Sequence, residues 1–103
     1  MDNIAFKPIA GNVTVNLAVT ASSQTLICST DNSSTQFRVV NIGTQTVFLA
    51  YGTAGTTPVA TVSTCIAMVA GSVEVFTFPQ NVVLAAIAGN TGSTIYVTPG
   101  IGN

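Results

Sequence analysis

With 103 residues and a mass of 10.4 kDa, the chain has room for one compact core. Two Lys+Arg, three Asp+Glu and no His leave 5% of the residues charged, where about 25% is usual. Such an inventory argues against acid–base or nucleophilic catalysis, against a metal or cofactor ligand set and, at a formal net charge of -1, against binding along a nucleic-acid backbone.

Disorder is excluded as well, because 48% of the residues are hydrophobic and the mean hydropathy is +0.61. The longest apolar runs, Val82–Ala88 and Cys65–Ala70, fall far short of the roughly 18 residues of a membrane-spanning helix, so no membrane partner is expected. Met1-Asp2-Asn3 is an acidic start, and Pro8, Gly11, Asn12 and Asn16 interrupt any apolar stretch behind it; synthesis in the cytoplasm without a secretory leader is the expectation. A monomer of this size has roughly 5,400 Å² of surface, so its charges would be spread at about one per 1,000 Å². Isolated soluble domains carry a denser charged surface than that, and the scarcity here points to a surface that meets other protein.

In chain order, residues 1–11 read as an extended N-terminal arm and residues 12–103 as a single domain. The arm carries Ile4, Phe6 and Ile9, which need a place to dock, either on the domain's own edge or on a neighbouring subunit. Val13, Val15, Leu17 and Val19 alternate with Thr14, Asn16 and Ala18, the pattern of a half-buried strand. Thr25–Cys28 is a second, short strand, closed by the polar run Ser29–Ser34. Gln36–Ile42 and Thr46–Tyr51 flank Gly43-Thr44-Gln45, which predicts a β-hairpin with a bulge. A loop over Gly52–Pro58 leads to short strand candidates at Val59–Val62 and Ile66–Val69. Val73–Phe78, Val83–Ala88 and Thr94–Thr98 complete the set, and Pro99–Asn103 reads as a tail. Seven to nine short strands with turns between them predict an all-β fold, an antiparallel β-sandwich of jelly-roll-like type, with a closed barrel as the alternative.

Three strands are apolar on both faces, where a half-exposed strand would alternate. Phe37 and Val39 oppose Arg38, Val40 and Ile42; Val47, Leu49 and Tyr51 oppose Thr46, Phe48 and Ala50; Val73, Val75 and Thr77 oppose Glu74, Phe76 and Phe78. If one face of each lines the core, the other is too apolar to leave in water. The candidate intersubunit contact residues are therefore Ile4, Phe6, Ile9, Arg38, Val40, Phe48, Glu74, Phe76 and Phe78. Arg38 and Glu74 are expected to pair with each other, to pair with another subunit, or to keep their charged ends at a rim. Cys28 and Cys65 cannot build a zinc site; they read as buried free thiols or as a disulfide. No nucleophile, P-loop or HExxH motif is present, and the expectation is a protein that is not an enzyme.

Four segments carry a family likeness: FRVVNIGTQTVFLAYGT (Phe37–Thr53), GSVEVFTFP (Gly71–Pro79), AAIAGNTGSTIYVTPGIG (Ala85–Gly102) and the N-terminal arm. Together they resemble small virion proteins of tailed bacteriophages, namely the short β-rich decoration, or cement, proteins of icosahedral heads. This resemblance implies a β-sandwich subunit, commonly a homotrimer, that sits on the outer capsid surface and holds adjacent major capsid proteins together. The major capsid protein and further copies of the chain would be its partners, and the virion its location. Within the same class, the likeness extends to tail, neck or head-fibre components. A carbohydrate-binding module using Tyr51 or Tyr96 as a stacking platform is the reading from a different class.

Overall fold

The structure is a computed structural model that describes residues 7–9, 11, 13–28, 34–62 and 65–101. Its strands are β1 (Lys7–Pro8), β2 (Val15–Val19), β3 (Gln24–Ile27), β4 (Gln36–Gly43), β5 (Val47–Gly52), β6 (Ile66–Met68), β7 (Val73–Thr77), β8 (Val83–Ala88) and β9 (Ser93–Ile101). All pairings are antiparallel. One sheet runs β1-β9-β4-β7, with β2 pairing β9 along the same side as β1; the other runs β3-β8-β5-β6. From β2 onward the chain changes sheet at every connection except β5 to β6. Two four-stranded layers of order β2-β9-β4-β7 and β3-β8-β5-β6 make a jelly roll, so the sandwich read from the sequence is the fold observed.

Alternation sets which residues meet between the layers. Val19, Phe37, Val39, Ile95 and Val97 of the first sheet pack against Val47, Leu49, Met68, Leu84, Ala86 and Ala88 of the second; Val15, Leu17, Leu26 and Phe76 close the margins. The alternating strand predicted from Val13 is β2, with Val15, Leu17 and Val19 opposite Val97, Ile95 and Ser93.

The predicted hairpin across Gly43-Thr44-Gln45 is not formed. β4 belongs to one sheet and β5 to the other, and the connection is a corner of the sandwich. Gly43 has φ 140°, and a Cβ there would overlap the Gly92 carbonyl oxygen. The corner is held by its neighbours instead of by its own two strands. Thr44 N–H donates to Gly92 O at 3.2 Å, Gln45 N–H donates to Ser93 Oγ at 2.9 Å, and Ser93 Oγ donates to Gln45 O at 2.9 Å. Asn41, fully buried, completes the junction: its Nδ2 faces the carbonyl oxygens of Gln45 at 2.9 Å, Met68 at 2.9 Å and Val69 at 3.2 Å. Its backbone accepts from Gly71 N–H and donates to Ser72 O. One polar side chain thus joins β4 to the end of β6 in the opposite sheet.

Three further boundaries differ from the sequence reading. Pro99 and Gly100, read as tail, extend β9 and pair with Phe37 and Gln36. Val59–Val62 forms no strand. Lys7–Pro8, read as arm, pairs with Ile101 and Gly100, and Ile9 N–H donates to Pro99 O at 3.3 Å, so this stretch adds to the domain's own sheet.

The β5–β6 connection has a second effect. It leaves Gly52, which pairs with Val83, and reaches Ala60, whose N–H donates to Ser23 Oγ at 2.9 Å just ahead of β3. β8 lies between β5 and β3, so Thr53–Ala60 spans the distance between the two strands that flank it. Ala60 is buried there, and so are Val83 and Ala85, which belong to the outward row of β8.

Candidate docking face

Among the described residues, no segment passes over the outward side of the first sheet in the same way. In antiparallel pairs, residues directly opposite each other project to the same side. Val73, Val40 and Tyr96 form one cross-strand row, Val75, Arg38 and Thr98 the next, and Ile42 with Thr94 a third. Ile42 is 55% exposed, Val73 49%, Val75 47% and Tyr96 38%, with Val40 half-buried at their centre. These five side chains are contiguous across β7, β4 and β9. The rim is polar and internally hydrogen-bonded: Thr14 Oγ1 and Thr98 Oγ1 lie 2.8 Å apart, and Gln36 Nε2 donates to Thr77 Oγ1 at 3.4 Å. An apolar centre within a polar rim is the anatomy of a protein contact surface.

Register explains why this face is apolar. β4 pairs on both sides, with β7 and β9, so its backbone is satisfied and both of its faces are free to carry Val and Ile. Arg38 is exposed within this face and supplies its positive charge. Glu74 lies opposite Val39, one residue out of step with the Arg38–Val75 pair, so the two charged side chains project to opposite sides of the sheet. Mutual pairing, one of the expectations for them, is ruled out by parity; each is exposed on its own side.

The other candidate contact residues divide between surface and core. Val40 lies on the uncovered face. Phe48 is half-buried on the outward side of β5, in register with Ile87 and Ala67. Phe76 and Phe78 were expected on a contact face but point inward: Phe78 is 5% exposed and a member of the core, and Phe76 packs against it. Their rings stack at 5.2 Å, and Phe78 also meets Phe37 at 6.0 Å and Tyr51 at 4.6 Å. The reason is the parity of β7, which turns Glu74 and Phe76 toward the core side and Val73 and Val75 outward. Ile9 is half-buried beside β9; Ile4 and Phe6 lie outside the described residues. Ile42, Val73, Val75 and Tyr96 were not among the candidates, although the double apolarity of β4 and β7 was the signal that marked their strands.

Both cysteines are free thiols. Cys28 is fully buried, and loss of solvation pushes its thiol from 9.0 up to about 12, a shift that the hydrogen bond from the Leu84 backbone partly offsets. Such a thiol is chemically inert at neutral pH. Among the described residues no three His, Cys, Asp or Glu side chains gather in a group able to hold a metal ion.

No protein-family model and no curated protein matches the sequence. Among solved structures the chain is similar to one from the Bacillus endospore appendages, described as a novel family of disulfide-linked pili, at 16% identity, covering 98% of this chain and 95% of that one, with a TM-score of 0.48.

Proposed function

We propose that this chain is a structural subunit whose working state is a protein assembly, and specifically a decoration protein that seats on the outer surface of an icosahedral phage head and bridges adjacent major capsid proteins. The observation that carries this reading is the uncovered outward side of the β9-β4-β7 sheet, with Ile42, Val73, Val75 and Tyr96 in water around Val40. The sequence likeness to decoration proteins supplies the particular setting. The work is mechanical and involves no catalytic group.

Magnitudes favour a lattice over a single partner. The exposed apolar area of these side chains is on the order of 300 Å², which at about 25 cal/mol per Å² gives roughly 7 kcal/mol of gross stabilisation on burial. Association costs about 4–15 kcal/mol in lost translational and rotational freedom, so one such contact is marginal. A homotrimer that presents the face several times to a symmetric surface converts marginal contacts into firm seating through effective concentration.

Cosedimentation of the purified protein with empty icosahedral phage heads assembled from purified major capsid protein tests the reading. Saturable binding that fails for the Val73→Asp/Val75→Asp variant supports it. Absence of binding to heads, or specific retention on a glycan array that Tyr51→Ala or Tyr96→Ala abolishes, overturns it.

A further inference from the structure

We infer that the free edge of β7 is a self-association site, at which Val73–Thr77 of one copy adds antiparallel to Val73–Thr77 of a second copy across a two-fold axis at Val75. The inference goes beyond the docking face: it concerns the backbone at the margin of that sheet, and it is read on the free protein, whether or not the chain seats on a head.

The first argument is which backbone groups face outward. β7 ends its sheet, and among the described residues no strand pairs with it on the side away from β4. Bonds alternate in an antiparallel pair, so each residue of β7 directs both its N–H and its C=O either to β4 or to the open side. Asn41 N–H donates to Ser72 O at 3.0 Å and Phe78 N–H donates to Thr35 O at 2.8 Å, in the same register that sets Val39 opposite Glu74 and Phe37 opposite Phe76. Glu74 and Phe76 therefore bond to β4, and the N–H and C=O groups of Val73, Val75 and Thr77 lie on the open side. β4 agrees from its other side: Thr44 N–H donates to Gly92 O at 3.2 Å, which turns the even-numbered residues of β4 toward β9 and leaves the odd-numbered ones for β7. The devices that usually protect a sheet edge, a Pro, a Lys or a bulge, are absent from Val73–Thr77.

The second argument identifies the occupant as a second copy. A two-fold axis at Val75 sets Val75 opposite Val75 of the second copy, Val73 opposite its Thr77 and Thr77 opposite its Val73. These are the residues with open backbone groups, so every edge-facing N–H and C=O in both copies finds a partner. Moving the axis by one residue leaves Thr77 or Val73 unmatched, and at Glu74 it also sets two carboxylates face to face. With the axis at Val75, Glu74 meets Phe76 and no like charges oppose each other. An unrelated strand would have to carry this match; a second β7 carries it by symmetry. The axis is normal to the sheet, so the uncovered faces of both copies look the same way. Their margins at Val73 and Val75 abut, and two apolar patches merge into one. The contact occupies a single edge, so it can link subunits of neighbouring trimers as well as free copies.

Disulfide trapping on the full-length chain tests the inference, in a Cys65→Ser background with Cys28 left in place because it is buried. Directly opposed residues of a bonded antiparallel pair have Cα atoms about 5.5 Å apart, within the range a disulfide spans. Val75→Cys is expected to give a covalent dimer under a mild oxidant. Val73→Cys alone is expected to give none, whereas Val73→Cys mixed with Thr77→Cys is expected to give a mixed dimer. Val75→Pro removes a donor on the open side and none of the bonds to β4. It should weaken self-association in sedimentation equilibrium by about tenfold or more, while the dilute chain keeps its melting temperature. The trapping pattern decides by itself if Val75→Pro fails to fold. Absence of the Val75→Cys dimer, a Val73→Cys dimer that forms as readily, or open-ended polymers, as pairing of β7 with the free edge of β3 in the next copy would produce, overturns the inference. Head binding is scored separately, and its failure leaves the trapping pattern unchanged.

Discussion

Replacement of Asn41 offers the most direct test of how the two sheets are joined. The side chain is fully buried, and its amide hydrogens face the carbonyl oxygens of Gln45, Met68 and Val69. Its own Oδ1 has no hydrogen-bond partner among the described residues, so what the residue contributes is its pair of donors. Asn41→Leu removes both and leaves buried carbonyls unsatisfied, at about 1–3 kcal/mol for each bond lost, or roughly 4 kcal/mol in total. For a domain of this size that corresponds to a fall of roughly 15–25 °C in melting temperature. Asn41→Asp leaves a single O–H donor while the carboxyl is protonated and none once it ionises, and burial pushes that ionisation above the usual carboxylate range. Well below pH 4 the carboxyl is protonated in both the folded and unfolded chain, and the variant keeps one of the two hydrogen bonds that Asn41→Leu loses. Above that pH the unfolded chain ionises first, and the variant loses about 1.4 kcal/mol further for each pH unit until the folded form ionises as well. Urea unfolding at pH 4 and pH 7 separates the two effects: Asn41→Leu shifts equally at both, while Asn41→Asp is clearly worse at pH 7. An Asn41→Asp protein within 1 kcal/mol of the original at pH 7, or one with no pH dependence, would refute the assignment of Asn41 as the donor between the sheets.

Gly43→Ala places a Cβ against the Gly92 carbonyl oxygen at a φ that L residues rarely adopt, and thermal unfolding should report a loss of about 3 kcal/mol or more. Cys28 predicts an alkaline limit: its thiol ionises from 9.0 in the unfolded chain and only near about 12 in the folded one, so its contribution is intact below pH 9 and declines above it, by roughly 4 kcal/mol at pH 12. Cys28→Val should flatten that part of the curve of unfolding free energy against pH. Arg38→Glu and Glu74→Lys should each change the unfolding free energy of the dilute monomer by less than about 0.5 kcal/mol, and their double variant should be additive, because both groups are exposed and project to opposite sides of the sheet.

Strand positions were legible in the sequence because alternation at period two is a local property. Val83–Ala88 was placed to the residue, and Gln36–Ile42 and Val73–Phe78 each to within one residue. Partner choice was not legible at Gly43-Thr44-Gln45, where a short glycine-containing link is compatible with either a hairpin or a corner. The difference lies in Asn41 and Ser93, whose bonds reach Met68 and Gln45 from distant parts of the chain. The face of β7 was misassigned for a related reason. Val, Phe and Glu alternate there without a clear polar side, and only pairing with β4 determines that Phe76 accompanies Phe37 inward. A large aromatic is a better guide to the core than to a contact surface when both rows are apolar.

Surplus apolar strands alone do not create a docking surface; topology decides which of them the chain covers for itself. β5 is apolar on both sides, yet the long connection that follows it returns to the same sheet at Ser23, and Ala60, Val83 and Ala85 are all buried. Among the described residues β4 and β7 receive no such return, and because they are neighbours their outward rows merge into one surface. A purely aliphatic surface of that kind would accept any apolar partner, including an unrelated sheet edge. Arg38 in its middle changes the selection. A partner lacking an acceptor must desolvate the guanidinium without compensation, at a cost of several kcal/mol, which exceeds what the remaining contacts can offset. Scarcity of charge therefore gives this side chain its weight: on a largely apolar face, one cation raises the cost of contact for any partner that brings no acceptor.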